Sequence, residues 1–302
     1  MYAQAENGIT IRFALPSAKL APYVTTYYQT IVRPVPSEPY LEDYFHPEWP
    51  NLRFMDPGFS LAAVGPDAPL EPSPTFAVTG PTSLPIRFRV VKGGRNWGVG
   101  LMPLGWAKFV GVTAGDYADS IVDGASNDAF AHLRRLAQRL SAPGDSFAAE
   151  VAEMDAFFLA LLDREVRHAD AIMAINEGLV DPDISTANQL ADHVGMNLRS
   201  LERLSRQAFG FPPKLLLRRQ RFLRSLAKFM LDPSMKWLNA LDYQYHDQSH
   251  FVRDFKRFMG MPPSTYARLE KPMLIAAARA RMEIAGEALQ GLHQPHEGHS
   301  QS

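Results

Sequence analysis

The chain has 302 residues, enough for two modest domains with separate hydrophobic cores. It contains no cysteine, which excludes a disulfide framework and a thiolate metal site and makes the cytoplasm the default compartment. We find no apolar run long enough to span a bilayer and no signal sequence at the amino terminus. The formal net charge of −1 is unevenly distributed, because residues 183–270 carry 14 Lys and Arg against 8 Asp and Glu, a net charge of +6 that leaves −7 on the remainder. This asymmetry predicts a nucleic-acid surface joined to an acidic partner region.

Residues 1–125 are predicted to form a β-rich regulatory domain. Four stretches, at 23–32, 59–64, 86–91 and 97–102, alternate in polarity or carry β-branched and aromatic residues between Gly and Pro breakers. They favour short antiparallel strands in a small sheet or barrel that closes over an interior cavity.

Residues 126–180 change to helical periodicity and are predicted to be a helical linker or dimerisation segment. Helical character continues from 164 to 176 after a helix from 147 to about 165, which carries one apolar stripe: Val151, Met154, Phe157, Phe158, Leu161 and Leu162. The stripe packs on the sheet or on its copy in a second subunit, and packing within the chain is the favoured alternative.

Residues 181–272 contain one pattern twice: a short helix, a tight turn, a polar-faced helix, and then Gly and Pro after an aromatic residue. The polar-faced helices cover 197–209 and 247–259. Ser185 or Thr186 is the predicted cap of the first unit, and Gly195 supplies its left-handed turn. Asn197 and Asp247 are the predicted caps of the polar-faced helices.

The outer faces of these two helices carry the side chains that base reading in the major groove requires. Arg binds guanine through two hydrogen bonds, Gln suits adenine, and Glu accepts from cytosine. The buried stripes behind them are predicted to be Leu198, Leu201, Leu204 and Ala208 in the first helix and Phe251, Phe255 and Phe258 in the second. The candidate base readers are Arg199, Glu202, Arg203, Gln248, Ser249, His250 and Arg253. The candidate phosphate contacts are Arg206, Lys214, Arg218, Arg219, Lys256 and Arg257.

Residues 183–269 resemble the DNA-binding domain of the AraC/XylS family of bacterial transcriptional regulators. The resemblance is carried by YHDQSHFVRDFKRFMGMPPSTY at 245–266 and by RRQRF at 218–222. It implies an all-α domain with two helix-turn-helix units along one face of DNA, and it places the base-reading positions on the seven residues named above. The departures are Asn239, where the family has an aliphatic residue, and Gln244, where it has Gly. A left-handed Gln costs on the order of 1 kcal/mol, which leaves phosphate anchoring as an alternative role of the second unit.

The amino-terminal half shows a weaker resemblance, through YFHPEWPNLRF at 44–54 and VGLMPLGWAKF at 99–109, to the β-rich, cupin-like sensor domain of some of these regulators. It implies an α+β chain whose first domain binds a small effector, dimerises, or both. Trp49, Phe54, Trp97, Arg87 and Arg89 could line an effector pocket, although an aromatic core with solvated arginines is favoured, and no effector residue is assigned.

His46 and Glu48 could be two metal ligands, but no further His stands in a matching strand, and no metal or cofactor is predicted. Residues 273–302 are predicted to be a carboxy-terminal helix and a disordered tail, whose His293, His296 and His299 lie in no ligand spacing.

The sequence therefore predicts a non-enzymatic, sequence-specific transcription regulator, either an activator or a repressor. The expected partners are operator or promoter DNA, a small effector, a second copy of the chain and, if it activates, RNA polymerase, with no membrane. One alternative is a cupin-type enzyme fused to a DNA-binding module, which needs a metal triad or paired carboxylates. Another is an adaptor whose helix-turn-helix units bind protein, which the +6 segment disfavours.

Overall fold

The computed structural model describes residues 3–5, 8–33, 40–142, 146–232, 240–245 and 247–294, and the statements below refer to these residues. The fold is α+β, as predicted, with two antiparallel sheets followed by a helical half. The strands are β1 (Ala3–Ala5), β2 (Ile9–Ala14), β3 (Val24–Val32), β4 (Leu41–Phe45), β5 (Asn51–Met55), β6 (Ser60–Val64), β7 (Glu71–Pro72), β8 (Phe76–Thr79), β9 (Ile86–Val90), β10 (Gly94–Leu101) and β11 (Ile121–Asp123). The α-helices are α1 (Pro103–Gly105), α2 (Arg134–Ser141), α3 (Phe147–Leu159), α4 (Ala169–Val180), α5 (Ala187–Val194), α6 (Leu198–Phe209), α7 (Pro213–Leu231), α8 (Gln248–Met259), α9 (Pro263–Arg268) and α10 (Pro272–Ala285).

The strands form two sheets. The first has the order β1-β2-β3-β10-β5-β8-β11, and the second has the order β4-β9-β6-β7. The stretches predicted as strands at 23–32, 59–64, 86–91 and 97–102 are confirmed as β3, β6, β9 and β10. We call β1 to α3 the sheet half and α4 to α10 the helical half.

Side chains alternate between two environments along the larger sheet. On β5, Leu52 and Phe54 lie in a helix-covered core, whereas Arg53 lines a cavity between the two sheets. On β10, Trp97 lies in that core and Asn96 lines the cavity. This period of two follows from the pleat of the strand, so β5 and β10 each contribute to both the core and the cavity wall.

The helices α2 and α3 cover the outer face of the larger sheet. Met154 and Phe158 of α3 are fully buried there. Glu150 forms an ion pair of 2.7 Å with Arg95 and so ties α3 to β10. The apolar stripe therefore packs within the chain, as favoured, and is not available as a dimer seam. The predicted continuous helix is wrong, because α3 ends at Leu159 and α4 begins only after His168, whose φ is 61°.

The helical half holds one helix-turn-helix unit, the second helix of the predicted second unit, and a carboxy-terminal helix that folds back. The first unit is α5–α6, the 19-residue α7 connects, and α8 is the second helix of the second unit. The short helix that the sequence predicts before the polar-faced helix at 247–259 lies largely outside the described residues. None of the helices in the described part of the chain is long and apolar enough to cross a membrane.

The two halves share a core. Trp49 and Leu104 of the sheet half are buried among residues of α4, α5, α6 and α7. Gly210 and Gly260, which end α6 and α8 in the left-handed conformation, lie against prolines of the sheet half, and a Cβ on either glycine would come within 2.4 Å of Pro81 or Pro66. Both second helices therefore end on the sheet half, where only glycine fits.

The segment after α10 is ordered further than predicted. Leu289, Leu292 and His293 are buried, and α10 packs on β1, β2 and β4. The predicted disordered tail after the carboxy-terminal helix is therefore wrong up to residue 294, because these side chains fill space between the halves. Residues 295–302, with His296 and His299, lie outside the described residues.

Candidate nucleic-acid interface

The geometry of the first unit is fixed by its caps. The Thr186 side chain accepts from the Gln189 backbone, and the Gln189 side chain bonds back to the Thr186 backbone, which completes a capping box. Gly195, with φ of 69°, ends α5, and Asn197 Oδ1 accepts from the Ser200 amide at 2.9 Å. The predicted caps are confirmed, and they set the direction in which α6 leaves the turn.

The helix α6 separates a buried back from an exposed polar face. Leu201, Leu204 and Ala208 are buried, as predicted. The predicted readers Arg199, Glu202 and Arg203 and the predicted phosphate contact Arg206 are all exposed. Leu198 was expected in the buried stripe but is 42% exposed, because it is the first residue of the helix and lies beside Arg199 on the outer side.

The helix α8 repeats this arrangement. Asp247 Oδ1 accepts from the His250 amide at 2.7 Å, which confirms the cap, and Phe251, Phe255 and Phe258 are buried. Residues on its exposed face are Gln248, Ser249, Arg253, Lys256 and Arg257. His250 is half-buried, and desolvation, with the charge of Arg221, lowers the pKa of its ring. At neutral pH its imidazole is therefore neutral and can both donate and accept a hydrogen bond.

The arginines of α7 hold the second unit together. Asp254 of α8, which is fully buried, accepts from Arg218 Nη2 at 2.6 Å and from Arg221 Nη2 at 2.9 Å. Arg224 forms an ion pair with Asp242. The Arg218 side chain remains 38% exposed, so a phosphate could contact its guanidinium while Arg218 stays paired with Asp254.

Arg219 corrects a sequence-based assignment. Its side chain is fully buried, with the guanidinium 3.8 Å from the centre of the Trp49 ring and with Nη1 donating to the Thr82 carbonyl at 3.0 Å. Burial lowers the pKa of Arg219 to about 9. The predicted phosphate contact by Arg219 is therefore wrong, because its side chain points from α7 into the sheet half.

The turn of the second unit also differs from the prediction. Among the described non-glycine residues only Asp119 and His168 have positive φ, so Gln244 carries no left-handed strain. Gln244 Nε2 donates to the Pro182 carbonyl, and the Tyr243 hydroxyl donates to Asp183 Oδ1 at 2.7 Å. The turn therefore docks on the segment that precedes the first unit, which links the two units without backbone cost.

The aromatic residues suggested for an effector pocket lie elsewhere. Trp49, Phe54 and Trp97 are core residues, because the pleat turns the last two towards the helices and Trp49 enters the core of the helical half. Arg89 pairs with Glu42 at 2.7 Å, and Arg87 donates to the Ala68 carbonyl at 3.0 Å. The cavity between the sheets instead includes Arg53 of β5 and Arg281 of α10, the second of which the sequence placed outside the sensor domain.

His46 and Glu48 face different partners. His46 Nε2 lies 2.7 Å from the Tyr266 hydroxyl oxygen, and Glu48 forms a buried ion pair with Arg53. Burial lowers the pKa of His46 to about 3, so the ring is neutral. His46 therefore connects the two halves, whereas Glu48 belongs to the cavity wall. No group of three potential metal ligands is found among the described residues.

Asp43 of β4 caps the fold-back helix. Its Oδ2 accepts from the backbone amides of Met273 and Leu274 at 3.0 Å each, at the amino terminus of α10. Burial raises the pKa of Asp43 to about 6, against the lowering effect of these hydrogen bonds and of Lys271. The folded protein thus binds a proton at Asp43 more tightly than the unfolded chain does.

We expect this carboxyl group to make the folded state more stable as pH falls from about 6 towards 4, by up to roughly 3 kcal/mol. The contribution is lost as pH rises through the folded pKa. Urea unfolding at pH 4 to 7 checks it by comparison with Asp43→Asn, which cannot titrate. A difference in unfolding free energy between the two proteins that does not change with pH would contradict the assignment.

Comparisons with known proteins agree with the helix-turn-helix geometry. Residues 190–269 match a family model described as a helix-turn-helix domain. The HTH-type transcriptional activator AarP of Providencia stuartii is 31% identical over 80 residues, which is 26% of this chain; the match spans 58% of that relative's length.

Two solved structures are more distant. A structure of ToxT from Vibrio cholerae is 12% identical and covers 76% of this chain and 98% of its own, with a TM-score of 0.42. A structure of the AraC-like transcriptional activator CuxR is 14% identical and covers 75% and 89%, with a TM-score of 0.27. On the family model, residues 190–269 are a helix-turn-helix domain.

Proposed function

We propose that this chain is a sequence-specific, DNA-binding transcription regulator whose sheet half senses a small molecule. The observation that carries the proposal is the pair of capped helices α6 and α8, each with a packed back and an exposed face of long hydrogen-bonding side chains. A rigid helix that presents such side chains near its amino-terminal half is what major-groove reading requires.

The spacing of the two helices supports two contacts on one face of DNA. The connector α7 has 19 residues and is therefore about 28 Å long, comparable with the roughly 34 Å of one DNA turn. Arg199 and Arg203 suit guanine, and Gln248 suits adenine. Leu198, which the sequence assigned to the core, is exposed and suits a thymine methyl group. The phosphate contacts would come from Arg206, Lys214, Lys256 and Arg257, which are exposed.

The name of the curated relative supports activation, and contact with RNA polymerase and a cytoplasmic location are parts of this proposal. A second copy of the chain would bind through a surface other than the α3 stripe, which is used internally. An enzymatic role is not proposed, because His46 and Glu48 are engaged with Tyr266 and Arg53 and no catalytic set is assembled around them.

Selection from random duplex DNA with the full chain tests the proposal. The full chain is required because Trp49 belongs to the core of the first unit. Enrichment of two sequence elements about one helical turn apart supports two base-reading units, and one short element supports a second unit that only anchors on phosphate. No enrichment, with binding that depends only on salt, would leave non-specific binding and favour the adaptor alternative.

Arg203→Ala is expected to weaken binding to the selected DNA by roughly 1–3 kcal/mol and to relax the preference at one base pair. Arg206→Ala, one turn further along the same exposed face, is the matched control. It should weaken selected and random DNA alike and reduce the slope of log K against log salt by about 0.9. Affinities at several salt concentrations check both. Equal losses on random and selected DNA for Arg203→Ala would remove it from the base readers.

A further inference from the structure

The cavity between the two sheets is closed by a helix from the other half of the chain. It has a volume of about 140 Å³, and its apolar wall includes Phe45, Phe59 and Phe88 from the sheets and Leu274 and Ala277 from α10. An engineered apolar cavity of about 150 Å³ binds benzene. The space therefore suits an apolar group of the size of one aromatic ring or a chain of about six carbons.

One wall of the cavity carries a buried arginine, Arg281, with unused hydrogen-bond donors. Arg281 of α10 is 5% exposed, and its Nη1 donates to Thr26 Oγ1 at 2.6 Å. Its Nε and Nη2 are buried and have no hydrogen-bond partner among the described residues. Burial lowers the pKa of Arg281 to about 10, so the guanidinium is still charged at neutral pH. A buried guanidinium with two unused donors is costly unless an anion binds it.

The charges that line the cavity do not balance. Glu48 is paired with Arg53, and this pair is internally neutral. His46 contributes no charge, because its lowered pKa keeps the ring neutral. Among the residues that line the cavity, Arg281 therefore leaves an excess of one positive charge, and the nearby charges of Glu48 and Glu287 only partly offset the effect of burial on its pKa. A single negative charge on the occupant would neutralise this excess.

We propose that this cavity binds a small carboxylic acid, with its carboxylate paired to Arg281 and its apolar body among Phe45, Phe59 and Phe88. The inference rests on the proposed function in that such an acid would be the signal that the sheet half senses. Because α10 begins three residues after the end of the helix-turn-helix match at 269, the occupant would contact both halves directly.

Isothermal titration calorimetry on the full chain, free of DNA, tests the proposal with hexanoate and phenylacetate as probes. Hexanamide and phenylacetamide are the neutral controls. Both acids should bind, and Arg281→Gln should weaken them by about ten- to a hundredfold, the usual effect of losing a charged hydrogen bond. Arg279→Gln, on the exposed side of the same helix, should leave the affinity unchanged.

Two further variants separate binding from folding. Arg281→Lys keeps the charge and should retain the preference for acid over amide. Ala277→Phe keeps Arg281 but fills the cavity, so it should abolish binding of both acids. Acids and amides that bind alike, equal effects of the two Gln variants, or no binding to the unaltered chain would overturn the proposal. A DNA selection that enriches a motif while the acids fail to bind would reject the ligand class and leave the regulator function standing. Acid binding without an enriched motif would reject the regulator function and leave the ligand class standing.

Discussion

Asp254→Ala is expected to lower the free energy of unfolding by roughly 3–5 kcal/mol, because it removes the anionic partner of a buried charge cluster. Asp254 is fully buried and accepts from Arg218, from Arg221 and, at 3.1 Å, from the Tyr245 hydroxyl. Arg218 is partly exposed and can turn to water, but the side chain of Arg221 is only 13% exposed. The variant therefore leaves a desolvated guanidinium and a buried hydroxyl without their acceptor.

Urea unfolding followed by circular dichroism measures this loss. Asp192→Ala, an exposed aspartate on α5, is the matched control and should change stability by no more than about 0.5 kcal/mol. Since the cluster fixes α8 against α7, we also expect the variant to lose the contribution of the second unit to DNA binding before that of the first. A loss of less than about 1 kcal/mol would mean that the two arginines find other partners.

The parts of the candidate site that depend on local sequence were predicted well. Thr186, Asn197 and Asp247 cap their helices because a short polar side chain before a helix satisfies the first free amides whatever the surrounding fold. The buried phenylalanines of α8 follow from helical periodicity for the same reason. Local chemistry decides such features, so the sequence alone contains them.

The failures involve long-range partners. Nothing near Arg219 in the sequence indicates that Trp49, 170 positions earlier, lies beneath its guanidinium. The motif RRQRF at 218–222 looks like a basic DNA-facing stripe, but three of its side chains bind Asp254 or the sheet half. Whether an arginine faces DNA or a buried carboxylate is set by the tertiary arrangement.

The effector-pocket residues failed for a related reason. The alternation of residues along β5 places Leu52 and Phe54 on one face of the strand and Arg53 and Met55 on the other. It does not reveal which of the two faces lines the cavity. Arg281 was missed because the carboxy-terminal segment was assigned to a helix and tail with no role in the sheet half. Its fold-back rests on Asp43, which caps α10 across 230 positions of chain.

Trp49→Ala is expected to cost roughly 3–5 kcal/mol and to uncouple the two halves of the molecule. Trp49 is fully buried, its ring meets Phe209 at the end of α6 edge-on at 5.7 Å, and Arg219 stacks on it. The substitution removes the largest side chain that the sheet half places in the core of the first unit and leaves Arg219 buried without its aromatic partner.

Differential scanning calorimetry distinguishes uncoupling from simple destabilisation. Trp97→Ala is the control, because Trp97 is equally large and 1% exposed but lies wholly within the sheet half, against Phe147 of α3. We expect Trp97→Ala to shift the transition of the sheet half, and Trp49→Ala to separate a shared transition into two. Identical calorimetric profiles would mean that the contacts of α10, through Asp43 and Arg281, hold the halves together without Trp49. In that case α10, which closes the cavity, would be the element through which the sheet half acts on the DNA-binding helices, rather than the core of the first unit.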